Sequence, residues 1–154
     1  NKIDLKSIVT SVVDDFNNIY LEKRGIKILL NANNNKDEFK IYGIENRIEQ
    51  ILANLLDNAI SFSSDNKVID INLSETSKSY VLTIKDQGPG FSETSTNKIF
   101  KRFYSNRPKN FGEHSGLGLN IVKNIVELHK GRVAASNRID SNGAQIEILL
   151  PKTQ

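Results

Sequence analysis

Residues 47–63, RIEQILANLLDNAISFS, form the pattern that most constrains the fold. Their apolar side chains recur at the spacing of a helix with one buried face, predicted over 45–62. The same helix carries two asparagines, Asn54 and Asn58, although an asparagine amide competes for backbone hydrogen bonds and disfavours helix. Together with Arg47 and Ser61 they form a polar stripe beside the apolar face. From the helix alone, this stripe is either a solvated flank or part of a binding site.

The remaining periodicity predicts an α/β domain. A first helix is predicted over 4–24, with Asp4 as its N-cap and Gly25 as its stop signal, and a last helix over 116–130. Strands are predicted over 26–31, 39–43, 68–74, 80–86, 132–138 and 144–151. The first two flank a polar turn, and the other four form two hairpins. No repeat or linker interrupts this order, which predicts one domain over 1–154: a two-layer α/β sandwich with helices on one face of a mixed sheet.

The composition is that of an ordinary globular domain. The 154 residues carry 21 Lys and Arg against 18 Asp and Glu, scattered along the chain, which gives no argument for nucleic-acid binding. No apolar stretch approaches the length of a membrane span. The absence of cysteine excludes disulfides and thiolate metal sites. Because the chain starts at Asn1 and contains no methionine, we expect it to be a fragment of a longer protein.

Two glycine-containing segments could carry chemistry. In KDQGPGF (85–91), Asp86 ends a strand and Gly88 and Gly90 follow; this is either a tight turn or a place where backbone approaches a ligand. In GEHSGLGLNIVKNIVELHKG (112–131), glycines precede an apolar helix, which is either an anion site or a flexible loop capped by Ser115. Neither segment matches a P-loop or the Gly-x-Gly-x-x-Gly turn of dinucleotide-binding folds. The connection over 87–115 is long enough to suggest a functional lid.

The order of these features resembles the catalytic ATP-binding domain of bacterial sensor histidine kinases. That domain belongs to the superfamily, with the Bergerat ATP-binding fold, shared with gyrase, MutL and the large heat-shock chaperone ATPases. QILANLLDNAISFS is similar to the N box of the family, DQGPG to its first G box, IFKRFY to its F box and SGLGLNIVKNIVELHKG to its second G box. IDLKSIVTSVVDDF is similar to the usual lead-in, so the resemblance covers essentially the whole chain.

The resemblance implies an ATP site that uses Mg²⁺. Asn58 would give its amide oxygen to Mg²⁺, and Asn54 would support the same cation and phosphate region. Asp86 would accept a hydrogen bond from the adenine amino group. Gly88 and Gly90 would keep the approach of the nucleotide open, and Phe62 would pack against the adenine. Phe100 and Phe103 would pack where the lid begins, and Arg102 is the candidate cation for the phosphates. The last implied contacts lie at the start of the final helix, where the two glycines would present backbone N–H groups to the phosphates: Ser115, Gly116, Leu117 and Gly118.

The sequence departs from the family pattern at three positions. Ser61 and Phe62 stand where the family often has Lys and Tyr, so phosphate neutralisation must rely more on Mg²⁺ and on a lid cation such as Arg102. His114 stands where many members have Gly. Neither His114 nor His129 lies in the sequence context of the phosphoacceptor histidine, and we expect His129 to be an exposed residue at a helix C-terminus.

The implied activity is that of a protein-histidine kinase. The domain would bind Mg-ATP and pass the γ-phosphate to a histidine on the dimerisation domain, which is absent from this chain, so alone it would show little turnover. The parent protein would be a homodimer that signals to a response regulator. The domain would lie on the cytoplasmic side, without direct contact to membrane or nucleic acid, and the parent in the inner membrane. Alternatives are an ATPase of the superfamily, which would need a Glu in place of Asn54, a serine-kinase anti-sigma factor and a non-catalytic interaction module.

Overall fold

The structure of the protein is a computed structural model that describes residues 1–32, 39–91, 100 and 118–153. In these ranges it contains three helices and seven strands, which are β1 (Lys2–Asp4), α1 (Leu5–Arg24), β2 (Lys27–Ala32), β3 (Lys40–Tyr42), α2 (Glu45–Phe62), β4 (Val68–Glu75), β5 (Ser79–Lys85), α3 (Gly118–Leu128), β6 (Arg132–Asn137) and β7 (Ala144–Pro151). Each predicted helix and strand is present, with ends that differ by at most two residues from the prediction.

The caps of α1 are those that the sequence predicts. The Asp4 carboxylate accepts hydrogen bonds from the backbone N–H of Lys6 at 3.2 Å and of Phe39 at 2.9 Å, so it caps α1 and also ties the chain before β3 to it. At the other end, Gly25 adopts a left-handed conformation with φ of 66° and donates its N–H to the Leu21 carbonyl. A residue with a Cβ is strained in this conformation, which explains why the helix ends at a glycine.

The main sheet has the strand order β2-β4-β5-β7-β6. β2 pairs with β4 in parallel, and the other three pairs are antiparallel, so the sheet is mixed. β1 and β3 form a separate antiparallel pair. The sequence does not predict β1, and the two strands expected on either side of one polar turn, β2 and β3, lie in different sheets. The hairpins β4–β5 and β6–β7 are confirmed.

The helices cover one face of this sheet. Residues of β4, β5 and β7 alternate between buried and partly exposed, as expected for a sheet with one covered face. The apolar face of α2 lies at the centre of the core, where Ile48, Ile51, Leu52, Leu55 and Leu56 are each at most 1% exposed. Burial of each such side chain contributes about 1.5–3 kcal/mol, so α2 is held in place mainly by this face. The predicted two-layer α/β sandwich is therefore confirmed.

α3 runs antiparallel to α2. At its start, the Gly118 carbonyl accepts a hydrogen bond from the Asn54 side chain in the middle of α2. Just after its end, the His129 ring contacts the start of α2: Nε2 accepts the backbone N–H of Ile44 at 3.1 Å, and Nδ1 lies 2.9 Å from the Ile125 carbonyl. The expectation that His129 is exposed is therefore wrong, because the half-buried ring joins the two helices.

Candidate functional site

Asp86, directly after β5, is a buried carboxylate with two unequal oxygens. It is 3% exposed, and Oδ1 accepts hydrogen bonds from the backbone N–H groups of Gly88 and Ala144, both at 2.9 Å. Oδ2 accepts no hydrogen bond from the described residues. Burial raises the pKa of Asp86, although the two N–H donors and the nearby Arg138 charge oppose this shift. A buried carboxylate costs free energy, and among the described residues one oxygen of Asp86 remains available for a hydrogen-bond donor.

The segment after Asp86 packs closely against the last turn of α2. A Cβ on Gly88 would lie 2.6 Å from the carbonyl oxygen of Phe62, which is a backbone atom that cannot move aside easily. Gly90 has φ of +82°, and a Cβ there would lie 2.5 Å from Oδ1 of Asn137. Packing within the protein therefore accounts for both glycines. Their expected role in keeping the approach of a nucleotide open stays a prediction.

Three of the predicted site residues follow one another along α2. Asn54, Asn58 and Phe62 are spaced four residues apart and lie on neighbouring turns of the helix. Asn54 is half-buried and donates from Nδ2 to the Gly118 carbonyl at 3.4 Å, whereas Asn58 and Phe62 are buried. Because Phe62 meets Gly88, this side of α2 joins the segment that contains Asp86 to the start of α3. The structure thus brings two other predicted segments of the site, 85–91 and the start of α3, to this side of α2.

Ser61 brings no charge to this region. Its side chain is buried, and the hydroxyl donates to the Asn58 carbonyl at 2.9 Å. A hydrogen bond of this kind, back to the preceding helical turn, satisfies a buried hydroxyl within the helix. The position where the family often has a lysine is therefore occupied here by a small uncharged residue.

The start of α3 leaves space beside it among the described residues. A Cβ on Gly118 would meet no atom within 4 Å in the described structure. Nearby, Asn120 donates from Nδ2 to the carbonyl of Phe100 at 3.2 Å, and Phe100 is buried. Asn120 thus fixes the backbone of a predicted site residue, a role that its place in an apolar helix pattern does not signal.

The remaining predicted site residues lie outside the described ranges. These are Arg102, Phe103, Ser115, Gly116 and Leu117, together with most of the expected lid and with His114. Their roles stay predictions.

Within the described ranges, no group of three or more His, Cys, Asp or Glu residues could hold a metal ion. None of the helices in those ranges combines the length and apolar character needed to cross a membrane.

A pocket of about 420 Å³ lies beside Ile44 and His129, at the opposite end of α2 from Phe62, and takes no part in this site.

Comparisons with known proteins show the family to which this chain is similar. The family model described as histidine kinase-, DNA gyrase B-, and HSP90-like ATPase matches residues 43–154. Sensor protein ChvG of Agrobacterium fabrum is 34% identical over 162 residues, covering 99% of this chain and 27% of that protein. The chain spans about a quarter of the length of the curated relatives that it matches first.

Solved structures share the fold over the whole chain. The catalytic domain of histidine kinase ThkA superposes with a TM-score of 0.86 at 26% identity, covering 100% of this chain and 98% of that one. ThkA in complex with response regulator protein TrrA gives a TM-score of 0.82 at 25% identity, covering 99% of this chain and 42% of the other.

Proposed function

The chain belongs to the family of histidine kinase-, DNA gyrase B- and HSP90-like ATPases, and we propose on this premise that it is the catalytic domain of a sensor histidine kinase. In this role residues 1–154 form a single domain that binds ATP with Mg²⁺. The γ-phosphate of ATP then passes to a histidine side chain on another domain of the parent protein.

The observation that carries this proposal is the pair of oxygens on Asp86. Oδ1 is committed to the N–H groups of Gly88 and Ala144, and Oδ2 has no partner among the described residues. The amino group of adenine is a donor that complements Oδ2, whereas the oxygen of guanine at the same ring position would face it with a second acceptor. Once a bound base covers Oδ2, an acceptor left without a donor is costly, so this carboxylate favours adenine nucleotides.

The polar groups of α2 and α3 suit the phosphates. Asn58 offers a buried amide on the side of α2 that Asn54 connects to the start of α3. Among the described residues no atom would meet a Cβ on Gly118, which lies at that start, where helix N–H groups and the helix dipole favour anions. Mg²⁺, when bound, would neutralise phosphate charge, with the Asn58 amide oxygen as the protein ligand beside water and phosphate oxygens. Since Ser61 is uncharged, further neutralisation falls to a cation elsewhere, for which Arg102 is our candidate.

Asn54 favours transfer to a histidine over hydrolysis. In the hydrolysing members that this chain resembles, a glutamate at the matching position activates water. An amide cannot accept that proton, whereas an imidazole nucleophile needs no strong base. Phosphoryl transfer depends chiefly on positioning and charge neutralisation, which the residues of α2 and Asp86 can supply without a nucleophile of their own.

The activity proposed here needs partners outside this chain. We propose that the acceptor histidine lies on the dimerisation domain of a homodimeric parent, and that a response regulator receives the phosphate next. The solved complex of the similar kinase ThkA with response regulator TrrA supports a response regulator as one of these partners. We also propose that the domain works in the cytoplasm and that its parent is anchored in the bacterial inner membrane, without contact of this domain to lipid or nucleic acid.

Calorimetric titration with ATP in the presence of Mg²⁺ tests the nucleotide site. Wild type should bind with a millimolar or lower Kd. Asp86→Ala should weaken binding about tenfold or more, as loss of a hydrogen bond at a charged group predicts, and Asn58→Ala should weaken it by a similar factor through loss of the proposed Mg²⁺ ligand. Asp15→Ala and Asn18→Ala are matched controls, because both side chains are exposed on α1. Absence of ATP binding by folded wild type would refute the proposal.

A further inference from the structure

Arg138, directly after β6, connects the β6–β7 turn to Asp86. Its Nη1 donates to the backbone carbonyl oxygen of Asp86 at 3.0 Å. Its Nε and Nη2 donate to the two carboxylate oxygens of Asp140, each at 3.0 Å. The guanidinium side chain is only 8% exposed. The bidentate pair with Asp140 fixes the plane of the guanidinium. Nη1 of Arg138 therefore points at the Asp86 carbonyl oxygen in a fixed direction.

Asn137, the last residue of β6, holds the other end of the same segment. Its Oδ1 accepts the backbone N–H of Phe91 at 2.6 Å, and its Nδ2 donates to the carbonyl of Phe91 at 3.2 Å. The side-chain amide thus pairs with Phe91 as a neighbouring strand would. Gly90 leaves room for it, because a Cβ on that residue would lie 2.5 Å from the Asn137 Oδ1.

The backbone of the turn also packs directly on Asp86. Ala144 donates its N–H to Oδ1 of Asp86 and accepts the N–H of Asp86 at 3.0 Å. Gly143 has φ of +138°, and a Cβ on it would lie 2.1 Å from the Asp86 carbonyl oxygen, so no other residue fits. The turn itself is closed by backbone groups, since Arg138 donates its N–H to the Gly143 carbonyl. The side chains of Asn137 and Arg138 are therefore not needed to close the hairpin.

We propose that Asn137 and Arg138 are positioning residues of the nucleotide base site. They hold the backbone of residues 86–91 at its two ends and thereby set the direction in which Asp86 Oδ2 meets the base. Neither side chain touches the nucleotide in this account. The inference rests on the proposed function, because it takes Oδ2 as the acceptor for the adenine amino group. A hydrogen bond weakens steeply as its geometry departs from linear, so a small rotation of Asp86 removes the selectivity without closing the site.

The decisive measurement compares two nucleotides that differ only in the amino group. ATP and purine riboside triphosphate, which carries hydrogen at that ring position, are titrated with Mg²⁺ into wild type, Arg138→Ala and Asn137→Ala. Each variant should weaken ATP binding about tenfold and change the binding of the analogue by less than about twofold, as loss of one charge-assisted hydrogen bond predicts. A purely structural role would weaken both nucleotides equally, and that result, or no change in either, overturns the proposal.

Two further variants keep the test decisive. Arg132→Ala removes an exposed arginine of β6 and should leave both affinities unchanged. Asp140→Asn releases the guanidinium of Arg138 while changing an exposed carboxylate, so it should lower the preference for ATP less than Arg138→Ala does. If Arg138→Ala does not fold, Asp140→Asn decides, and an unchanged preference in it overturns the inference.

A measurement without nucleotide separates this inference from the proposed function. The amide protons of Gly88 and Ala144 donate to Asp86, so their hydrogen exchange reports whether that carboxylate stays in place. Exchange should be faster in Arg138→Ala than in wild type and unchanged in Arg132→Ala. If wild type fails to bind ATP but exchange is still faster in Arg138→Ala than in wild type, the proposed function fails and the positioning of Asp86 stands. Equal exchange in all three proteins overturns the positioning itself.

Discussion

Replacement of Arg24 should show which of its contacts stabilise the fold, those to backbone carbonyl groups or the ion pair with Asp65. Arg24 ends α1, and its guanidinium donates to the carbonyl oxygens of Ile60 at 2.9 Å and Ser63 at 2.6 Å, at the end of α2. Its Nε also pairs with Asp65 at 2.8 Å. The arginine side chain is 18% exposed, whereas that of Asp65 is 66% exposed. The contacts that matter for stability should therefore be those to the carbonyl groups.

The magnitude follows from these contacts. A hydrogen bond that involves a charged group contributes about 1.5–3 kcal/mol, and a cation at a helix C-terminus adds about 0.3–1 kcal/mol. Water can reach part of the site after truncation, so we expect Arg24→Ala to lower the free energy of unfolding by about 2–4 kcal/mol rather than by the full sum. Removal of the exposed Asp65 partner should cost less than about 1 kcal/mol.

Urea denaturation followed by circular dichroism measures both changes. Asp65→Ala is the matched control, and Arg24→Lys keeps the charge but places all its donors on one nitrogen instead of on a planar fork. The expected order of stability is wild type, Asp65→Ala, Arg24→Lys and Arg24→Ala, with melting temperatures that fall by about 2–4 °C per kcal/mol for a chain of this size. Equal losses in Asp65→Ala and Arg24→Ala would show that the ion pair accounts for the whole effect and that the bonds to the carbonyl groups contribute nothing.

Three further substitutions test the structure around the site. Asp86→Asn should raise the free energy of unfolding at pH 7 by about 0.5–2 kcal/mol while weakening ATP binding. Burial raises the folded-state pKa of Asp86 above 3.8, so wild type loses stability as pH rises from 3.8 through the raised pKa. The gain from the substitution should therefore shrink in acid, as urea titrations at several pH values detect. Gly88→Ala should cost about 1–3 kcal/mol in the same assay, because its Cβ would press on the Phe62 carbonyl. Asp4→Ala should lower the free energy of unfolding by about 1–2 kcal/mol at pH 7 and by less near pH 3. Burial acts to raise the pKa of Asp4, but hydrogen bonds from Phe39 and neighbouring donors lower this pKa overall. The stability that the Asp4 carboxylate contributes is therefore present above pH 3.8 and is lost as pH falls through the lowered pKa.

The helices could be predicted from the sequence because their signals are local. The apolar spacing of α2, the N-cap at Asp4 and the left-handed Gly25 each depend on residues within one or two turns. Strand pairing depends on distant partners instead. The sequence places β2 and β3 around one turn, yet β2 pairs with β4 in parallel and β3 pairs with β1, a strand of three residues that is too short to show a pattern.

The site shows the same division. Asp86 and the asparagines of α2 stand out because a strand end and an apolar helix are unusual places for those residue types. Asn137 and Arg138 carry no such signal, since their contacts to Phe91 and Asp86 span 46 and 52 residues. From the sequence alone, Asn137 and Arg138 are ordinary polar residues before the β6–β7 turn that contains Gly143. Only the folded chain shows that their side chains reach the segment that contains Asp86.

Transfer of a labelled γ-phosphate shows whether this domain is the catalytic part of a histidine kinase. The parent protein, or this chain mixed with the acceptor domain of its parent, is incubated with Mg²⁺ and ATP labelled at the γ position, and the products are separated. We expect labelled protein whose phosphate is lost in acid and stable in alkali, as phosphohistidine is, and weaker labelling with Asp86→Ala at ATP concentrations near the wild-type Kd. Release of inorganic phosphate without labelled protein, or label that survives acid as on serine, would contradict it.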